Sequence, residues 1–577
     1  MIKEENLHPN VLGHPAGLFV LFFTEMWERF SYYGMRALLV LFLTSSLMDG
    51  GWGWPRENAL ALYGTYTAMV YLTPILGGYI ADQIIGYKKA ILLGALLMTL
   101  GHASMAIETP LFLYVGLGFL IIGNGFFKPN MTSIISHMYT DKPEKKDGAF
   151  TIYYMGVNAG AFLGIMLCGY LGEQVGWSYG FGLAGIFMFL GMLQFNFIQD
   201  IFGKVGDKPL KTADNEIKLE AGEKLNPFTQ LDKILTAIIT VAGLVWIMND
   251  PYAKISGNTI LDFNVGDISG DNFVIISAVV LLVILIISRI IRYTTVVRDR
   301  MIAVSIFAFF TIFFWASFEQ AGGSMTIFAA DYTNRILTGT TATTFKVFNT
   351  LLTIVPLVII TGVLIKLFKK TYAKYALSNV ILGSSFVIIW GIVIWILITE
   401  FQSEQTEVAA SWFGILNSFF IIAFAPLFSN LWESKYNPSA AAKYGLGLVL
   451  LGIGFGALAI GSWDIPQGAK TASVSMAWLI IAYLFHTLGE LCLSPVGLSY
   501  VSKLVPGRMI AFMFGVWYLA IAIGNKTAGS MGGMIDKVTA DNSIAFFFLI
   551  FTIVPIGAGV LITFLNPLMK KLMHGVK

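Results

Sequence analysis

The chain has 577 residues, of which 56 % are hydrophobic and 12 % charged, and its formal net charge is +3. A soluble protein of this length carries about twice that charged fraction to solvate its surface, and a nearly neutral chain offers no field for a nucleic acid. Apolar runs of about 20 residues recur along the whole length, each enough to cross a bilayer as a helix, so the composition defines an all-α polytopic membrane protein. A β-barrel is excluded, because its strands would alternate in and out over about ten residues.

The opening "MIKEENLHPN" has mixed charge and no short apolar core, so no cleaved signal peptide is expected. Spanning helices are expected near 15–45, 57–84, 88–108, 111–138, 147–173 and 177–199. A polar stretch, "GKVGDKPLKTADNEIKLEAGEK", follows and reads as a flexible loop. Further spans are expected near 229–249, 272–293, 299–329, 345–368 and 374–400, then 410–433, 442–463, 473–503, 507–533 and 543–567. That makes about sixteen. "GYKK", "DKPEKK", "SRIIRYTTVVRDR", "KLFKKTYAK" and "KKLMHGVK" all fall on one side of the membrane, which the positive-inside rule makes cytoplasmic together with both termini. The short loops suit a bacterial plasma membrane.

A faint repeat runs through the chain. "GNGFFKP" and "GELCLSP" both place proline six residues after glycine, with Lys128 and Ser494 in matching places. "NAG" at 158–160 is loosely echoed by "NKTAG" at 525–529. The order fits two six-helix halves: an N-terminal bundle over 1–200, a linker with an accessory helix pair over 201–297, and a C-terminal bundle over 298–577 with a pair inserted at about 344–400. Cys168 and Cys492 both fall within spans and argue against a disulfide framework. The six histidines have no metal-site spacing, so no metal is expected.

The stretch "FTEMWERFSYYGMR" puts four ionisable residues inside an apolar span. At about 100° per residue, Glu25, Glu28, Arg29, Tyr32, Tyr33 and Arg36 share one arc of roughly 140°. A charge at mid-membrane costs at least about 2.5–3.5 kcal/mol, so such an arc faces a bundle interior or a wet cavity. The remaining Phe23, Met26, Trp27, Phe30 and Met35 can face lipid or protein. Two readings stay open: a structural ion-pair network, or Glu25–Arg29 pairing with Tyr32, Tyr33 and Arg36 left for a ligand. Lys128 lies about 15 Å from the nearer end of its helix, beyond easy snorkelling. Glu319 is equally deep; a lone carboxylate there must be neutral or paired, with Lys128 and Arg36 as candidate partners. Glu490 has His486 and Ser494 on its own face, so it either clamps a ligand ammonium or forms a buried Glu–His bond. Asp82, at a tight turn between helices, reads as a conformational gate.

These segments carry a resemblance. "EMWERFSYYG" resembles the ExxERFxYYG motif of the proton-coupled oligopeptide transporter family within the major facilitator superfamily. "GGYIADQIIGYKKAILLG", "FTIYYMGVNAGAFLG", "GNGFFKPN", "FWASFEQAGGS" and "GELCLSPVGLS" are also similar to family segments, and they touch both halves. The resemblance implies two six-helix bundles and import of di- and tripeptides with protons, in a lipid bilayer, by a monomer without any other cofactor. It implies proton coupling at Glu25, Glu28, Arg29 and Glu319, with a cross-half pair at Glu319 that breaks when substrate and proton bind. It places Arg29, Tyr33, Arg36, Tyr71, Lys128, Tyr154, Asn158, Glu319, Asn417, Glu490, Ser494 and Trp517 in a substrate cavity, although ordinary packing is the alternative for several. Two departures stand out. Some family members carry a histidine on the second helix where this chain has Gly64, and the pair at 345–400 interrupts the expected succession of the seventh and eighth helices. A transporter of another small anionic or zwitterionic solute is the runner-up. A channel fits deep paired charges less well, and an enzyme has no GxSxG, metal cluster or nucleotide loop to support it.

Overall fold

A computed structural model of the chain describes residues 9–141, 145–208, 226–435, 437–505 and 510–576. The flexible-loop reading of 203–224 falls outside these residues from 209 onward. Helices α1 (Ala16–Thr44), α2 (Arg56–Ile80), α3 (Tyr87–Met105), α4 (Pro110–Met138), α5 (Lys146–Gln174) and α6 (Trp177–Asn196) pack on one another. Prolines and glycines set several of their limits: α1 follows Pro15, α2 follows Pro55, α4 begins at Pro110, and Gly176 precedes α6. An accessory pair follows, α7 (Gln230–Ser256) and α8 (Gly270–Ile291). A capping box at Thr229 and Asp232 starts α7, and Asp232 is also gripped by Arg289 of α8 and by Arg292 just after it.

The second bundle contains α9 (Thr295–Phe318), α12 (Ile415–Glu433), α13 (Ala440–Gly461), α14 (Ala477–Leu504), α15 (Ile510–Gly533) and α17 (Ile544–Phe564). Between α9 and α12 lie a short α10 (Ser324–Asp331) and α11 (Gly339–Gln402). Short helices α16 (Ile535–Asp541) and α18 (Asn566–Leu572) flank α17. The architecture is two six-helix bundles with two extra helix pairs. They meet through α2 against α15 and α5 against α12.

Among the described residues, twelve helices are long and apolar enough to cross a membrane, against the sixteen expected. The difference has four sources. α11 counts once, although its 64 residues contain both members of the expected pair, folded at Tyr375 with φ −127° and ψ 46°. α1 carries four ionisable residues, α3 has 19 residues and opens with two lysines, and the side chains at the start of α15 lie outside the described residues.

The α11 hairpin follows the first helix of the second bundle in sequence, yet it seats on the first bundle, against α6 and α1. Phe386 packs edge-on to Phe23 and Trp27, and the Ser378 hydroxyl donates to the Gln194 carbonyl at 2.8 Å. Phe187 of α6 stacks on Trp27. Phe23, Met26, Trp27, Phe30 and Met35 therefore all face protein and are fully buried.

Candidate functional site

Chain direction defines two faces: a terminal face, where α1 begins and α17 ends, and a far face, where α2 begins. On the far face the halves are tied together. Arg56 of α2 pairs with Asp331 at 2.6 Å and Asp536 at 2.7 Å. Glu173 of α5 accepts hydrogen bonds from the backbone N–H groups of Ala410 (2.7 Å) and Ser411 (2.9 Å), just before α12. Nearer the terminal face, Tyr79 is 65 %, Met155 57 % and Leu427 60 % exposed.

Inside this closed end lies a cross-half triangle. Arg36 Nη2 of α1 is 2.9 Å from Glu319 Oε1. The Tyr63 hydroxyl of α2 donates to the same oxygen at 2.6 Å and accepts from Arg36 Nε at 2.8 Å. Glu319 reaches this position because α9 stops at Phe318: residues Glu319–Gly322 form one tighter turn, and Gly323 breaks the helix before α10 resumes. Of the two candidate partners for Glu319, Arg36 is the one used. Lys128 instead holds its ammonium over the Tyr71 ring at 4.5 Å, a cation–π contact. Arg36 also lies 5.6 Å over Tyr33, so it is engaged by protein groups rather than left for a ligand.

Two to three helical turns back along α1, Glu25, Glu28 and Arg29 form a buried cluster. Arg29 Nε is 2.9 Å from Glu25 and 2.6 Å from Glu28, and Asn124 Nδ2 of α4 donates to Glu28 at 3.0 Å. The guanidinium lies over Tyr32 at 5.5 Å. The pairing of Arg29 with both glutamates matches the ion-pair reading more closely than a guanidinium waiting for substrate. One guanidinium serves both carboxylates, and Glu25 Oε2 and Arg29 Nη2 are buried without a hydrogen-bond partner, a costly arrangement for buried charges.

In the second bundle, Glu490 of α14 accepts from Asn417 Nδ2 of α12 at 2.9 Å, and the same amide donates to Thr487 at 3.1 Å. The expected Glu–His alternative does not form: the His486 ring turns away and packs on Phe455, centroids 4.4 Å apart. Glu490 lies within electrostatic reach of Arg36, Tyr33 and Tyr154, so it faces α1 and α5 across the gap between halves. Tyr154 is 47 % exposed there, while Asn158 donates to the Tyr154 carbonyl at 3.0 Å. Ser494 is half-buried one turn beyond Glu490 on the same helix. Trp517 is buried edge-on to Tyr444, centroids 6.4 Å apart, and is a packed wall residue.

Asp82 is exposed in a π-helical turn, Ala81–Ile85, on the terminal face beside Tyr87. Gly64, where a histidine was the alternative, lies at the crossing of α2 and α15: a Cβ there would stand 2.7 Å from the Gly529 Cα. Three partners escaped the sequence reading. Asn124 was readable, being four residues before Lys128 and thus on its face. Tyr63 and Thr487 look like ordinary span residues, and only the fold brings them to Glu319 and Asn417.

Two six-helix bundles tied at one face, with ionisable side chains of both brought together between them, define a membrane transporter of the major facilitator type. The chain belongs to the POT family: that family's profile matches residues 88–394 and 392–548. The peptide transporter YePEPT of Yersinia enterocolitica is 30 % identical, with 98 % of this chain and 96 % of that protein covered. A di-/tripeptide transporter of Lactococcus lactis subsp. cremoris is 28 % identical, with 98 % of each covered. Among solved structures, peptide transporter POT in complex with sulfate matches with a TM-score of 0.68 and 29 % identity, covering 98 % of both chains. A POT family transporter in complex with 5-aminolevulinic acid gives 0.71 and 26 %, covering 97 % of this chain and 98 % of that one.

Proposed function

We propose that the protein imports di- and tripeptides with protons by alternating access. The observation that carries this reading is the separation of charge across the gap. Arg36 and Lys128 lie on helices of the first bundle, and Glu490 lies opposite on α14. A zwitterionic peptide would place its carboxylate on the first side and its ammonium on Glu490. Tyr33, Tyr71, Tyr154, Asn158, Asn417, Ser494 and Trp517 would line the space between. The names of the relatives agree, and 5-aminolevulinic acid in a solved relative likewise carries an amine and a carboxylic acid.

In this reading 1–200 and 298–577 are the moving bundles, the termini and Asp82 are cytoplasmic in a bacterial inner membrane, and the monomer is the working unit. Asp82 would act when the cytoplasmic end closes. A proton reaching Glu319 would release Arg36 and Tyr63, freeing Arg36 for a peptide carboxylate and loosening the far face. Glu25, Glu28 and Arg29 would titrate as a second unit. One charge moving through 100 mV supplies about 2.3 kcal/mol, enough for roughly 50-fold accumulation at about 1.4 kcal/mol per tenfold.

The test is uptake of labelled dialanine into proteoliposomes under an inward proton gradient and a negative-inside potential. Concentrative uptake abolished by a protonophore is the expected result. No dialanine transport under any gradient would overturn the assignment and direct attention to anionic solutes.

A further inference from the structure

Helix α7 of the accessory pair touches the α2–α15 crossing where the bundles meet. α7 packs along α2: Lys254 of α7 pairs with Glu57 of α2 at 3.3 Å, and the Thr65 hydroxyl of α2 donates to the Ile247 carbonyl at 3.1 Å. Across the crossing, Lys526 of α15 is buried, 2 % exposed. Its ammonium donates to Thr65 at 2.9 Å and forms an ion pair with Asp250 of α7. Trp246 of α7 presents its ring 6.0 Å from the same ammonium. Asp250 is held in turn by Lys254 at 3.1 Å. A helix outside both bundles thus rests on the first and grips the second by an ion pair to a buried lysine.

We propose that α7 is a third body of the far-face gate, riding on α2 and holding α15 through Asp250–Lys526, so that outward opening must break this pair. The inference rests on the alternating-access reading above. As α2 leaves α15, the Lys254–Glu57 contact and the packing along α2 carry α7 with the first bundle. Lys526 then loses Thr65 and Asp250 together. Parting a buried ammonium from a half-buried carboxylate is costly unless each finds water, so the pair weights the equilibrium toward the far-face-closed state. The glycine crossing beside it, Gly64 on Gly529, brings the backbones close enough for Lys526 to reach both partners.

The test is pulsed electron paramagnetic resonance on the full chain in lipid nanodiscs. Spin labels are placed at Met48→Cys, 98 % exposed between α1 and α2, and at Lys537→Cys on the exposed side of α16. Cys168 and Cys492 are both buried and stay in place. In Asp250→Asn the ratio of long to short distances should rise about 10- to 100-fold over the labelled parent. Lys526→Gln, which removes the other charge of the pair, should raise it likewise. A parental distribution in Asp250→Asn would overturn the proposal, and so would a parental distribution in Lys526→Gln. Should Asp250→Asn fail to fold, Asp250→Asn with Lys526→Gln removes both charges and must show the same opening; a closed distribution there also overturns it. Dialanine uptake by the parent is scored separately: its absence removes the peptide assignment while the distance ratio still decides the latch.

Discussion

The Tyr63 hydroxyl occupies the space in which a side chain at Gly322 would begin. A Cβ built on Gly322 stands 2.0 Å from that oxygen and 3.0 Å from Arg36 Nε. The glycine after Glu319 is therefore what lets the cross-half triangle close. Gly322→Ala must push Tyr63 or Arg36 away from Glu319, at the roughly 1–3 kcal/mol typical of overpacking. Dialanine uptake driven by a proton gradient should fall about tenfold or more at one such step of 1.4 kcal/mol, while the protein still purifies as a folded species. Uptake equal to the parent would show that the triangle is not needed for turnover.

Glu28 shares Arg29 with Glu25 and also accepts from Asn124. In Glu28→Gln the arginine keeps Glu25, so the fold survives, but one ionisable carboxylate of the cluster is gone. Driven accumulation should be lost while counterflow exchange of dialanine persists. Loss of both activities would make Glu28 a structural member of the ion-pair network instead.

Glu490, held by Asn417, tests the bipolar arrangement. Charge-assisted hydrogen bonds contribute about 1.5–3 kcal/mol, so Glu490→Gln should weaken dialanine about 10- to 100-fold by competition. N-acetyl-dialanine has no ammonium, and its weaker competition should be unchanged by the substitution. Equal losses for both ligands would remove Glu490 from the ammonium site.

Phe386 is the anchor that α11 sets between Phe23 and Trp27. Phe386→Ala should destabilise by about 3 kcal/mol, the usual cost of truncating a buried phenylalanine, read as a lower midpoint of thermal unfolding in detergent. An unchanged midpoint would mean that the hairpin is held by its other contacts alone.

Much of the architecture was legible because a bilayer imposes simple rules. Every spanning backbone must be helical, and length and basic loops bound each helix, so α4 at 110–138 and α5 at 146–174 fall within a residue of expectation. The opening cluster was legible for a similar reason: Glu25 and Arg29 are one turn apart, and local spacing makes them neighbours. The count of spans was less secure, since a polar helix such as α1 and a folded pair such as α11 defeat simple measures of length and hydropathy.

By itself the sequence determined what must be buried and charged: Arg36, Lys128, Glu319 and Glu490 lie too deep to reach water along their own helices. Which of them pair was decided only in three dimensions. Arg36 and Lys128 were equal candidates for Glu319, and the break after Phe318 together with the bare Gly322 aims the carboxylate at Arg36. Glu490 could have chosen His486 on its own helix but meets Asn417 from another. Lys526, read merely as part of a repeat, became a junction of α2, α7 and α15. The physical reason is the same throughout: spacing along one helix is set by its 3.6-residue turn, whereas contacts between helices depend on crossings, kinks and small residues that no single stretch contains.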